Sequence, residues 1–221
     1  MCFSAQADVV AGVVVGAIGL DALRHVRSRA ETALAAIPVV LAGHLLVEAV
    51  VWWGLEDRVG PAIWRPAVGL YLVLAFAVLP VLVPVAVAAL EPASNRGRLR
   101  GFTALGAAVA VVLTYAVVRG PVTASIEGHH IDYRVDLWQG GALVLLYVIA
   151  TCGSLLASRH AHVRWFGAVN LVVVCLLAWL SKSSFISLWC AWATVTSAAI
   201  AFHLRYADPP HPRTAEVLSG T

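Results

Sequence analysis

The residues of this chain that could do chemistry sit where polar groups are costly. His44, Glu48 and Trp52 lie in the run Gly43-His44-Leu45-Leu46-Val47-Glu48-Ala49-Val50-Val51-Trp52, which has no other polar side chain. Their i, i+4, i+8 spacing stacks them on one face of a helix. Glu48 falls about 9 Å inside the nearer end of the apolar run. An ionised carboxylate at that depth costs roughly 2.5–3.5 kcal/mol on insertion scales. It must be protonated, paired or bound to a cation, and His44, one turn away, is the nearest partner. The packing alternative is a neutral Glu48 that serves as hydrogen-bonded glue between helices. The functional reading is a pair lining a wet or metal-containing pocket.

Sulfur and further imidazoles lie elsewhere in the chain. Cys190 opens the last apolar run, in Ser187-Leu188-Trp189-Cys190, and shares a stripe with Thr194 and Ser197. Cys2 precedes the first run. On one membrane face the two are either a disulfide or a pair of soft ligands. The longest connection, 119–136, carries Glu127-Gly128-His129-His130-Ile131-Asp132-Tyr133. Adjacent histidine side chains diverge, so one of them, His130, is the candidate to fold over the bundle mouth. Cys2, His44, Glu48, His130 and Cys190 supply the thiolate, imidazole and carboxylate groups that suit a zinc or copper ion. Trp52, His129, Tyr133 and Trp189 then line the pocket. With an open coordination position such an ion activates water, and Glu48 is the candidate general base.

Three function classes follow: a membrane metalloprotein that is an enzyme or a binding protein, a metal-free small-molecule or proton-coupled transporter or sensor using His44 and Glu48, and a structural subunit of a membrane complex. A homo-oligomer is compatible with each.

The elements that must position these groups are apolar helices. The 221 residues are 61% hydrophobic and 12% charged, with a mean hydropathy of +0.86. A soluble domain carries about 25% charged residues. This composition excludes a soluble enzyme, a disordered chain, a coiled coil and a nucleic-acid binder. The partner it requires is the lipid bilayer. The apolar residues fall into seven runs near 8–24, 34–54, 66–90, 102–118, 137–157, 164–181 and 185–204, each close to the length of about 20 residues that spans a bilayer. The expected fold is all-α: seven transmembrane helices in one bundle over 1–205, with a flexible cytoplasmic tail at 206–221.

Lysine and arginine set the direction. With the N-terminus outside, ten of the fifteen fall in cytoplasmic segments and five outside, so an outer N-terminus and an inner C-terminus are preferred. The start has no positively charged stretch or cleavage pattern of a signal peptide. Fourteen arginines against one lysine, amid abundant Ala and Val, suggest a bacterium of high GC content and hence a multi-pass protein of its inner membrane. Pro80 and Pro84 each remove a backbone donor within the third run, so that helix should kink or loosen there.

The opening Met1-Cys2-Phe3-Ser4, the Glu48-x-x-x-Trp52 segment and the late Trp189-Cys190 together resemble a family of uncharacterised bacterial integral membrane proteins, common in actinobacteria. The resemblance covers nearly the whole chain apart from the tail. It implies the membrane topology and the same candidate site, and names no reaction. Two other seven-span architectures fit less well. The zinc hydrolases related to alkaline ceramidases need two histidines at i and i+4 of the last helix, but Ala199 stands four residues before His203. Retinal proteins need a lysine midway along that helix, and the single lysine, Lys182, precedes it.

Overall fold

The computed structural model describes the backbone of residues 4–128, 130–137, 139–180 and 185–206, and their side chains other than those of 177–180, 185–191, 193, 203 and 206. Seven helices and one β-hairpin are described. In chain order they are α1 (Ala5–Arg24), α2 (Arg29–Leu55), α3 (Pro61–Leu90), α4 (Ala93–Arg119), β1 (Val122–Glu127), β2 (His130–Val135), α5 (Gly140–Leu156), α6 (Ala161–Leu180) and α7 (Phe185–Tyr206). Among the described residues four helices, α1 to α4, are long and apolar enough to cross a bilayer. The sequence expectation of seven spans is therefore met for four. α5 and the described part of α6 are apolar but shorter. The tail expected at 206–221 lies almost wholly outside the described residues.

Local rules account for the ends. Ser4 caps α1, its Oγ accepting from the Ala7 N–H at 3.3 Å, which satisfies one of the free donors of the first turn. Pro61 begins α3, where a missing N–H costs nothing. The loosening expected in α3 takes a definite form. Leu74–Val78 is a single π-helical segment just ahead of Pro80, with the Leu79 N–H reaching back to the Leu74 carbonyl. Such segments free backbone groups for outside partners, and the Tyr147 hydroxyl of α5 donates to the Ala75 carbonyl at 3.1 Å.

Glycines set two close approaches. In α1, a Cβ at Gly12 would meet the Leu46 side chain at 2.8 Å, and one at Gly19 would meet Val39 at 2.9 Å. The two glycines share the buried stripe of α1, so α1 lies tightly along α2, as small residues allow in membrane helices. In α4, a Cβ at Gly106 would collide with the Pro80 carbonyl oxygen. Pro84, four residues on, has no N–H to offer that oxygen, and Gly106 lets α4 lie against it. Gly106→Ala is expected to destabilise the protein by about 1–3 kcal/mol, the usual range for overpacking. Thermal denaturation in detergent checks this, with Gly101→Ala as the control, since a Cβ there meets nothing within 4 Å.

One apolar cluster joins α1, α2, α3 and α7 around Val15, Leu41, Leu45, Leu79 and Leu204. A second lies toward the hairpin and includes Ala5, Ala49, Trp52, Val68, Tyr71 and Ile131. At the opposite, arginine-rich end, Glu91 is 1% exposed between α3 and α4. Its carboxylate accepts from Ser158 Oγ at 2.5 Å, the Arg159 N–H at 2.7 Å and Asn95 Nδ2 at 2.9 Å. The α3–α4 turn is thereby clamped to the α5–α6 connection. The 119–136 segment, expected as a loop, is an antiparallel hairpin with Val122 opposite Val135 and Glu127 opposite His130. Gly128, at φ +62°, makes its turn in a conformation that glycine enters freely.

Candidate functional site

The site is assembled from three helices and the hairpin. α1 contributes Asp8, which lies on the stripe Ala5, Asp8, Gly12, Val15, Gly19 and Ala22 that faces the bundle. On that stripe, and against α2, the short Asp8 side chain has no route to water. α2 contributes His44, Glu48 and Trp52, all buried on one face, as their spacing of four residues requires. α3 adds Tyr71, and β2 adds Tyr133. Asp8 and Glu48 are each 0% exposed, and His44 8%.

The rings form a continuous column. His44 stacks on Tyr71 with centroids 4.0 Å apart, and Tyr71 stacks on Tyr133 at 4.4 Å. The column runs from the hairpin into the bundle. Strand alternation explains the last link: Ile131, Tyr133 and Val135 share the hairpin face that packs on the helices, together with Val122 and Ala124. His130 takes the other register, with Asp132 and Arg134. On that outer face Arg134 bridges Asp132 and Glu127, at 2.6 Å each. These hydrogen-bonded carboxylates hold the Arg134 guanidinium charged by raising its pKa further. Burial first, and then the acids Glu48 and Asp8, raise the pKa of the Tyr133 hydroxyl. It is therefore a neutral donor at any physiological pH.

Two acids meet at the centre, and the N-terminal ammonium acts on both. Glu48 faces Asp8 and Tyr71, and Trp52 faces Asp8, closely enough to interact. Yet none of these approaches meets hydrogen-bond geometry. Both carboxylate oxygens of Asp8, both of Glu48, His44 Nε2, Trp52 Nε1 and Tyr133 Oη are buried with no hydrogen-bond partner among the described residues. Buried polar groups in folded proteins are overwhelmingly paired, and seven unpaired atoms in one cluster are a strong departure. The hydrogen bond expected between His44 and Glu48 is also not made. Stacking on Tyr71 turns the imidazole to a different neighbour.

Of the residues singled out in the sequence, the structure brings together His44, Glu48, Trp52 and Tyr133. It sets His130 on the opposite hairpin face. Cys2 and His129 lie outside the described residues, as do the side chains of Trp189 and Cys190. The α7 backbone carries Cys190 one turn from the start of that helix. α1 and α7 run side by side, with Asp21 and Arg205 3.7 Å apart at their far ends. Counting back equally along both brings the Cys190 backbone level with the first turn of α1. Among the described residues no three His, Cys, Asp or Glu side chains converge as a group that could hold a metal ion. Cys152 is buried and Cys175 exposed, both away from this centre.

Sequence reasoning missed Asp8. Its signal was available: an acid four residues before Gly12, on the stripe of small residues that α1 turns inward.

A profile built for a family of unknown function, DUF6629, matches residues 1–215. The chain belongs to that family. No curated protein and no solved structure matches it. Within DUF6629 this chain thus offers its own geometry as the guide to function: a buried acid pair, an imidazole and an aromatic column beneath a hairpin.

Proposed function

We propose that this DUF6629 member is a bacterial inner-membrane protein of seven spans, with its N-terminus and hairpin outside, and that it is a metalloprotein with its centre in the outer half of the bundle. The apolar runs at 137–157, 164–181 and 185–204 complete the seven spans, and the arginine balance gives the direction. The observation that carries the metal reading is the set of buried, unpaired atoms: four carboxylate oxygens on Asp8 and Glu48, with the unpaired Nε2 of His44 on the same face of α2 as Glu48. Two adjacent acids in low dielectric cannot both stay charged without a cation. Glu48 and His44 are the ligands the helix stripe offers. Cys2 and Cys190, zinc or copper ligands by chemistry, precede the first apolar run and open the last one in the sequence. If the ion keeps an open position, Glu48 or Asp8 is placed to act as a base on bound water.

One observation favours a second reading, in which the acids carry protons and belong to a transporter or sensor. No third ligand joins them among the described residues. Elemental analysis of the detergent-purified full chain separates the two. About one equivalent of zinc, copper or another divalent metal, lost in a Glu48→Ala/Cys190→Ala double variant, is the expected result. No metal, together with proton flux in liposomes that depends on Glu48, overturns the metal reading in favour of the second.

A further inference from the structure

The end of the bundle opposite the hairpin carries charge that the fold leaves uncompensated. Arg96, Arg159 and Arg164 gather there around the buried Glu91. Arg96 Nε donates to the Glu91 carbonyl at 3.0 Å, and the Arg159 N–H donates to the Glu91 carboxylate at 2.7 Å. Arg164 Nη1 donates to the Arg159 carbonyl at 3.0 Å and to that of Ser158 at 3.3 Å. These bonds tie the three residues to one spot and leave most of their guanidinium N–H groups unspent, since each guanidinium has five. All three residues are exposed. Glu91 offers them no ion pair, because its oxygens are turned to Ser158, Asn95 and the Arg159 N–H. Among the described residues none of the three guanidinium groups pairs with an acid.

Position indicates what meets this charge. Leu90 ends α3 and Ala93 begins α4, both long and apolar enough to cross a bilayer, so the turn between them lies at headgroup level. Next in the chain to Arg164, Trp165 is 73% exposed, and Leu156, at the end of α5, is 38% exposed. An exposed indole is characteristic of the membrane–water interface. A basic cluster with an apolar rim suits an amphiphile, whose phosphate meets the arginines and whose glycerol and upper acyl chain cover the indole and leucine. An acidic protein segment would satisfy the arginines alone. We propose that Arg96, Arg159 and Arg164 together bind the phosphodiester headgroup of an anionic phospholipid of the surrounding bilayer. Guanidinium groups match phosphate oxygens in pairs, and basic pockets between membrane helices select anionic headgroups. The inference rests on the membrane part of the reading above and is independent of the metal. Because the arginines hang from the Glu91 clamp, a bound lipid bridges the α3–α4 and α5–α6 turns.

The test uses the full chain in a neutral detergent, with native mass spectrometry counting bound lipid and circular dichroism reporting the helical fold. The probes are phosphatidylglycerol, zwitterionic phosphatidylcholine, soluble glycerol 3-phosphate and an oligoglutamate peptide. The parent is expected to bind phosphatidylglycerol about tenfold or more above phosphatidylcholine. The triple variant Arg96→Gln/Arg159→Gln/Arg164→Gln should bring the two lipids within about twofold with the helical signal unchanged, and the corresponding triple lysine variant, which keeps the charge, should retain most of the preference. Arg164→Gln alone should lose about threefold, which keeps the inference testable should the triple glutamine variant not fold. Arg58→Gln, in the α2–α3 connection at the other end, should match the parent. Equal binding of the two lipids by the parent, or a preference that survives in the folded glutamine variant, overturns the inference. So does displacement of the lipid by equimolar glycerol 3-phosphate, which marks a soluble phosphate site, or tighter binding of the peptide, which marks a protein partner. A parent that stays in solution without detergent and does not float with vesicles overturns the membrane reading as well.

Discussion

Glu48→Met in metal-free protein is expected to raise thermal stability, by about 1–4 kcal/mol. Methionine keeps the unbranched shape of glutamate and removes the buried carboxyl group. Replacing buried ionic groups with well-packed apolar ones of similar size is commonly stabilising by that amount. Here the parent acid has no hydrogen-bond partner among the described residues and faces a second acid, Asp8. The substitution therefore removes the cost of burying an unpaired polar group and breaks no described bond. For a chain of this size the gain corresponds to a melting temperature higher by roughly 2–4 °C per kcal/mol. Differential scanning fluorimetry in detergent, with chelator present, reads it directly. The opposite sign would identify Glu48 as helix glue, because glue must contribute bonds that methionine cannot make. A gain in stability on losing an acid marks a group retained for a task other than folding.

Glu91→Ala is expected to act in the other direction, with a loss of about 2–4 kcal/mol. Glu91 is as buried as Glu48, but its oxygens accept from Ser158, Arg159 and Asn95. Hydrogen bonds to a charged group contribute about 1.5–3 kcal/mol each, and truncation leaves the donors unsatisfied. Burial opposes the Glu91 charge, yet these hydrogen bonds, with the His160 charge, outweigh it and hold the carboxyl below its ordinary pKa of 4.5. The sign of the pH dependence follows. The folded state binds this proton less readily than the unfolded state does. The stabilisation is thus complete above pH 4.5 and is lost as pH falls through the lower folded value. Thermal stability of the parent should decline across that acid window, and that of Glu91→Gln should decline less. Equal slopes in the two proteins would remove Glu91 as the source.

The contrast between the two glutamates shows what the sequence can and cannot convey. Hydropathy marks the long helices because a membrane-length apolar run has few other uses. The stripe of His44, Glu48 and Trp52 is legible for the same reason that helices are periodic. What the stripe cannot convey is its surroundings. Tyr71 reaches His44 from another element, 27 residues away in the chain, and Tyr133 reaches Tyr71 from 62 residues further on. Asp8 sits at the edge of the first apolar run, where an acid reads as a boundary residue. Only its shared face with Gly12 and Gly19 turns it inward. The hairpin was hidden by the polar composition of 122–135, although Ile126, Ile131, Tyr133 and Val135 alternate with polar neighbours as strand residues do. Glu91 went unremarked because its partners, Ser158 and Arg159, come from a distant turn.

The tight seam between α1 and α2 also bears on how the chain reaches the bilayer. Emerging alone from the insertion machinery, the first helix would carry Asp8, one turn inside its start, with no second helix to cover it, a cost that rises toward about 2.5–3.5 kcal/mol with depth in hydrocarbon. The second helix carries the same handicap in Glu48. Released together as a preformed pair, each shields the acid of the other from lipid. The first two helices are therefore expected to behave as a single unit of biogenesis, with the two acids covered from lipid before α3 and the hairpin add Tyr71 and Tyr133.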